Sequence, residues 1–288
     1  MVGKPRTDGM PMDAIAEFER RAALLDKRYE RPSLSAVPGR EGYGWIDFEG
    51  LPNTRDLGGL PAADGRRVRP GMLLRSGTLG FGTEPDLTRL RDEYRLRLVV
   101  DLRGTEELIE LPDPMDAFPG ARYVHADILA EKAAGITQDE DSQELARLRA
   151  QAGGADPVAF MVLLYPHLLL DASGMAGYRL LFESVLACED GAALWHCYVG
   201  RDRCGMASVL MEAALGVGMA DIEADYLATN VYAPRELTEE GATSLCSLRA
   251  AVDAASREFG SLEGYIREAL GISDSAIRDL RMRCLERA

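Results

Sequence analysis

The chain has 288 residues, the length of one large domain or two small ones. With 33 basic and 47 acidic residues its formal charge is −14, which repels nucleic-acid backbones and anionic lipid surfaces and argues against both as partners. Five cysteines at irregular spacing and three scattered histidines (His125, His167, His196) exclude a disulfide framework and a zinc cluster, and predict a reducing, cytoplasmic setting with no metal or other cofactor. Met1–Asp13 lacks the apolar run of a signal peptide, and Phe160–Leu170 is too short to span a bilayer. Only three of the basic residues are Lys (Lys4, Lys27, Lys132), so anion recognition falls to arginine.

In chain order, Ile15, Phe18, Ala22, Leu25 and Tyr29 fall on one face of an amphipathic helix with Asp13 as its N-cap. Arg31–Gly44, rich in Pro and Gly, follows as a linker, so residues 1–42 are assigned to an extension and 43–288 to a catalytic domain. Asp64-Gly65 marks a tight turn, and the basic run Arg66-Arg67-Val68-Arg69 beside it is expected at the surface. Met72–Arg75 and Arg97–Leu102 predict strands, the second apolar enough for a central place, with a helix over Thr88–Tyr94 between them. Ala121–His125 predicts another strand, and the polar stretch Glu131–Ala155 reads as a solvated helix face, an insertion or a lid. Val158–Cys188 is helical in pattern, Ala192–Trp195 a short apolar strand, and Met206–Leu215 a helix. From Asp221 onward helical stretches alternate with turn signals at Gly260, Gly271 and Ser273. Strands alternating with helices, then helices alone, predict an α/β fold with a mostly parallel central sheet and a helical C-terminal half.

The chemistry is concentrated in His196-Cys197-Tyr198-Val199-Gly200-Arg201-Asp202-Arg203-Cys204-Gly205, which joins an apolar strand to an apolar helix. Backbone N–H groups converge in such a turn, and with the helix dipole they bind an oxyanion and stabilise a thiolate. Arg203 follows Cys197 by six residues, so a loop curled around a phosphate returns its guanidinium fork to the same oxygens. A lone cysteine after a strand is ordinarily core; the flanking His, the two glycines and the strand–helix context carry the functional reading.

This loop resembles the HCxxGKDRTG loop of the atypical bacterial protein-tyrosine phosphatase family. Asn53–Gly59 resembles that family's NFRDLGG, Arg69–Ser76 its RPGxLxRS, and Val100–Arg103, followed by Glu106, its VDLR. Asp225–Asn230 is similar to DYLxSN, and Phe259–Tyr265 through Leu270–Ile272 to the family's C-terminal segment. The resemblance spans Trp45 to Leu285. It implies a protein-tyrosine-phosphatase-like sheet flanked by helices, and a metal-independent phosphatase working through a phosphocysteine. Cys197 would be the nucleophile, with Arg203 and the loop segment Tyr198, Val199, Gly200 and Arg201 cradling the phosphoryl oxygens. His196 would steady the loop, and Asp202 would be the general acid, with Asp127 as the alternative. Arg55, Asp56, Arg75, Asp101 and Arg103 are expected to form a buried supporting network.

The resemblance implies a phosphotyrosine protein or a small phosphorylated metabolite as substrate; the oligomeric state stays open. Arg201 replaces the usual Lys, Thr54 the usual Phe, and Trp195 and Tyr198 add bulk around the loop, Tyr198 either lining the pocket or packing elsewhere. Cys204 stands where a Thr or Ser usually donates to the nucleophile's sulfur. A thiol is a weaker donor, so phosphoenzyme breakdown is expected to be slow, and Cys204 also offers a partner for an oxidised Cys197. Two competing readings follow: a phosphate-binding pseudophosphatase and, with less support, a rhodanese-like sulfurtransferase.

Overall fold

In the computed structural model, residues 40–129, 157–233 and 244–287 are described. The expected helix over residues 13–29, most of the Arg31–Gly44 linker and the Glu131–Ala155 segment lie outside them.

Five strands form one sheet in the order β1 (Arg55–Asp56), β3 (Leu73–Ser76), β6 (Ala192–His196), β4 (Leu96–Asp101), β5 (Arg122–His125). Only the short edge strand β1 runs antiparallel to its neighbour. Strands β2 (Arg66–Val68) and β7 (Leu285–Arg287) make a separate antiparallel ribbon. The helices described are α1 (Glu84–Asp92), α2 (Thr105–Glu110), α3 (Pro157–Leu170), α4 (Ala172–Leu186), α5 (Asp202–Leu215), α6 (Met219–Tyr232), α7 (Leu245–Phe259), α8 (Leu262–Glu268) and α9 (Asp274–Cys284). The α/β fold with a mostly parallel sheet and a helical C-terminal half is therefore as the sequence predicts.

Strand alternation divides the core. Leu73, Leu98, Val100, Ala193 and Trp195 join the larger cluster under α3, α4 and α5. Leu74, Val99, Ala192 and Leu194 turn to the smaller cluster, with Ile46, Phe48, Leu51, Leu87 and Leu90. Each fully buried Leu or Val among them contributes about 1.5–3 kcal/mol. Helix α5 is buried at every position and ends on Gly216 in the left-handed region (φ 82°).

Four local expectations are corrected. Helix α1 begins at Glu84 rather than Thr88, because Thr83 and Asp86 form a capping box and Asp86 also accepts from the Glu49 and Gly50 amides. The Val158–Cys188 pattern is two helices bent by 60° around Asp171. The chain end is a strand, not a helix: Leu285–Arg287 pairs with Arg66–Val68. The basic run is at the surface only in part: Arg66 and Arg67 are half-buried and Arg69 is exposed, Arg66 and Arg69 donating to the Arg281 and Leu285 carbonyls and Arg67 to Gly59. Among the described residues no single helix is long and apolar enough to cross a membrane, and the bent pair α3–α4 buries Leu164, Leu168, Leu169, Leu181 and Phe182 inside the protein.

Candidate active site

His196 ends β6, flanked by Ser76 at the end of β3 and Asp101 at the end of β4. Cys197 thus leaves the C-terminal edge of a parallel sheet between two neighbours, where ligands of such sheets bind. The loop then turns into α5, whose first residues are Asp202 and Arg203; the helix starts four residues earlier than the Met206 expected from its apolar run.

The loop is shaped from outside. Tyr198 O accepts from the Thr78 amide (3.0 Å), Val199 O from Asn53 Nδ2 (3.2 Å), and Gly200 O from both Asn53 Nδ2 (3.1 Å) and Arg75 Nη2 (3.0 Å). A planar peptide whose carbonyl is drawn outward presents its N–H on the opposite side, so three successive carbonyl anchors turn the amides toward the loop's interior. Gly200 is obligatory: its φ is 73°, and a Cβ there would sit 2.5 Å from Ser76 O.

Arg203 is fully buried and gripped by Glu107 of α2, Nη1 to Oε2 at 2.5 Å and Nη2 to Oε1 at 2.9 Å. Burial alone would weaken its charge, but Glu107 more than compensates and the guanidinium is held protonated. Its Nε is buried and has no hydrogen-bond partner, so one donor is left over. The carboxylate that holds this arginine is Glu107; its neighbour Glu106 is exposed.

His196 is wholly buried, Nε2 2.8 Å from Asp113 Oδ2 and Nδ1 3.2 Å from Cys197 O. Burial would favour the neutral ring, yet Asp101 and Asp113 together overcome it and raise its pKa above 6.5. Asp113 is itself fixed by the Leu79 amide. Asp101, His196 and Asp113 offer atoms within 4.8 Å of one another, the one group among the described residues that could hold a metal ion. Its members are already engaged, however: Arg103 chelates Asp101 (Nε 2.9 Å, Nη2 2.6 Å) and Tyr123 donates to it (2.8 Å). They act as an ion network behind the loop, and the Asp101 carboxyl is held well below its ordinary range, His196 and Arg103 outweighing burial.

Of the expected supporting network Arg55, Arg75, Asp101 and Arg103 are buried, whereas Asp56 is half-buried and accepts from the Gly58 and Gly71 amides; the network also extends further. Arg55 and Arg75 face each other across β1 and β3, a like-charge pair that would repel if left alone. Asp225 of α6 sits between them, accepting from Arg75 Nη1 (2.9 Å) and from Arg40 Nη2 (2.9 Å), with Arg55 Nη1 at 3.7 Å. Burial and the adjacent Arg75 lower the Arg55 pKa to about 10, while the three arginines hold Asp225 ionised against its burial. Arg40, from the end of the predicted linker, is itself buried and also donates to the Asp56 and Gly58 carbonyls.

Asp202 is buried, accepting from Tyr165 Oη (2.6 Å) and from Arg201 Nε (3.0 and 3.2 Å). Asp127, the alternative acid, caps its own turn through the Leu129 amide. Tyr198 packs edge-on against Phe81 (centroids 6.1 Å), and Phe81 is 52% exposed, so the two rings form an aromatic wall beside the loop. Cys204 donates to Trp195 O (3.6 Å), and burial pushes its thiol up to about 12. It is a poor thiolate at neutral pH, which weakens its expected part as a trap for an oxidised Cys197. Trp195 is wholly buried with its Nε1–H on Ser208 Oγ, and Thr54 is wholly buried as well.

A sequence profile of the tyrosine phosphatase family matches residues 46–286. A Cupriavidus necator protein that carries the provisional name tyrosine-protein phosphatase is 32% identical, over 92% of this chain and 98% of its own. The triple specificity protein phosphatase PtpB of Mycobacterium tuberculosis is 27% identical over 82% of this chain and 97% of its own. A tyrosine-protein phosphatase of Nostoc commune is 22% identical over 77% of each.

Proposed function

The chain belongs to the tyrosine phosphatase family, and we propose that it hydrolyses phosphate monoesters through a phosphocysteine on Cys197, without a metal ion. The observation that carries this reading is the closed loop from Cys197 to Arg203, with its carbonyls anchored outward and its arginine braced by Glu107. Cys197 Sγ attacks phosphorus in line with the ester bond. The loop amides and Arg203 stabilise the three equatorial oxygens, the work a metal ion would otherwise do. Asp202 protonates the departing oxygen; the carboxylate then takes a proton from the water that attacks phosphocysteine, releasing inorganic phosphate and the Cys197 thiolate. His196, whose two ring nitrogens face Cys197 O and Asp113 Oδ2 and whose pKa Asp101 and Asp113 raise, adds positive charge behind the nucleophile when protonated.

Phosphotyrosine and other aryl phosphates are the substrate class in this reading, because the Phe81–Tyr198 wall offers edge and face contacts to an aromatic leaving group. Five cysteines with no disulfide among them support a reducing cytoplasm as its setting. The Cys204–Trp195 hydrogen bond favours slow phosphoenzyme breakdown, which in its extreme form is a phosphate-binding module. Stopped-flow hydrolysis of a chromogenic aryl phosphate, in a metal chelator and beside Cys197→Ser, decides the matter. A burst of about one equivalent per site, lost in the variant, is expected. Loss of activity in the chelator, or a Cys197→Ser enzyme that still turns over, overturns the mechanism; phosphate binding without a burst favours the module.

A further inference from the structure

Helix α3 contributes a residue to the loop aspartate that the phosphatase reading does not use. Tyr165 is buried, donates to Asp202 Oδ1 at 2.6 Å, and accepts from Tyr226 Oη at 2.7 Å. The three groups form one directed chain, Tyr226 to Tyr165 to Asp202, with the two rings packed edge to face (centroids 6.3 Å). Its far end is seated by the helix that carries Asp202: a Cβ on Gly205 would lie 3.3 Å from Tyr226 Cε2. Burial first, and the Asp202 charge second, hold both phenols protonated far above neutral pH, so both are permanent donors.

We propose that Tyr165 is a positioning residue for catalysis: it fixes Asp202 by Oδ1 so that Oδ2 exchanges the proton with the leaving oxygen and then with water. The proposal rests on the reading of Asp202 as general acid. Arg201 Nε, from the loop itself, straddles both oxygens (3.0 Å to Oδ2, 3.2 Å to Oδ1), whereas Oδ1 alone is also anchored from behind by a neutral donor in the core. When Oδ2–H gives its proton to the ester oxygen, the new carboxylate keeps the Tyr165 hydrogen bond, and no proton leaves either tyrosine. Tyr226 orders the donor: with its own O–H directed at the Tyr165 oxygen, Tyr165 has its hydrogen free for Asp202. A pair of tyrosines serving packing alone would need neither hydroxyl.

The test is the leaving-group dependence of Tyr165→Phe, which removes one oxygen and keeps the ring. Phenyl phosphate needs protonation of its leaving group, whereas dinitrophenyl phosphate departs without it. Since general acid catalysis supplies about 10²–10⁴-fold, we expect kcat on phenyl phosphate to fall about tenfold, with KM unchanged and little loss on dinitrophenyl phosphate. Tyr226→Phe should shift the same ratio in the same direction by less, and Tyr165→Phe should add nothing in an Asp202→Asn background. An equal loss on both esters, or no loss on either, overturns the positioning role. Asp202→Asn alone separates the two readings. If it shows the leaving-group dependence and Tyr165→Phe does not, only the positioning proposal fails; if Asp202→Asn shows none, the general-acid assignment fails and takes the proposal with it.

Discussion

Glu107 holds Arg203 by two parallel hydrogen bonds, 2.5 and 2.9 Å long, with both side chains buried. The grip uses both terminal nitrogens and so fixes the plane of the guanidinium before any phosphate arrives. Preorganisation of this kind raises affinity by removing an ordering cost at the moment of binding.

Replacing Glu107→Gln keeps the shape and one hydrogen bond but discharges the pair. Inorganic phosphate, followed as a competitive inhibitor, should bind about tenfold more weakly, and kcat/KM should fall with it. Glu107→Ala should be far worse in stability, about 3–5 kcal/mol, because it leaves a buried guanidinium uncompensated. Unchanged phosphate inhibition in Glu107→Gln would show that the loop amides, not Arg203, set the affinity.

Cys204 directs its thiol to Trp195 O and is protonated at neutral pH. In the proposed mechanism a hydroxyl at this position would donate to the Cys197 sulfur and ease its departure from phosphate. Cys204→Thr should therefore raise the steady-state rate about tenfold while leaving the burst rate alone, the size expected of one hydrogen bond to a charged group. An unchanged ratio of burst to steady-state rate would show that the second step is limited elsewhere.

The aromatic wall makes a claim about specificity. Truncating Phe81→Ala or Tyr198→Ala should cost aryl phosphates about 0.5–1.5 kcal/mol in kcat/KM and leave alkyl phosphates little changed. Equal losses on both classes would mean that the rings only support the loop.

How much of this was legible in the sequence depends on distance along the chain. β3, β4, β5 and β6 were readable because each is a short run, apolar or alternating, between turn signals, and the loop because its chemistry is contiguous from His196 to Gly205. The ribbon of β2 and β7 was not, since each strand is three residues long, two of them charged, and pairs with a partner more than two hundred residues away, so it carries no local pattern. The start of α1 was missed for a different reason: its cap, Thr83 with Asp86, lies upstream of the apolar periodicity. The residues that brace the site were hidden by separation. Glu107 meets Arg203 across 96 positions, Asp113 meets His196 across 83, and Tyr165 meets Asp202 across 37. Asn53, Arg75 and Asp225 did leave a signal, since each falls inside a motif: Asn53–Gly59, Arg69–Ser76 and Asp225–Asn230. Contacts of that range follow from the fold, which the sequence pattern specifies only through its core.

Glu212 carries the last prediction. It lies on the buried helix α5, with both carboxyl oxygens inaccessible and without a hydrogen-bond partner, near Arg40, Arg55, Arg75 and Asp225. Burial, reinforced by the Asp225 charge, raises its pKa well above 4.5, whereas Asp225, chelated by the arginines, is shifted below 3.8. The two carboxyls therefore act on stability in opposite directions. A raised acid binds a proton in the fold that the unfolded chain releases, so its contribution is full below 4.5 and is lost as pH rises toward the folded-state value. Asp225 contributes fully above 3.8 and loses that contribution only as pH falls below it. Glu212→Gln has the size of the neutral acid and no proton to lose. Its Tm should match the parent near the ordinary carboxylate range and exceed it increasingly toward pH 8, by about 2–4 °C for each kcal/mol. Two parallel curves of Tm against pH would show instead that Glu212 is ionised in the fold, as a second counter-charge to the three arginines.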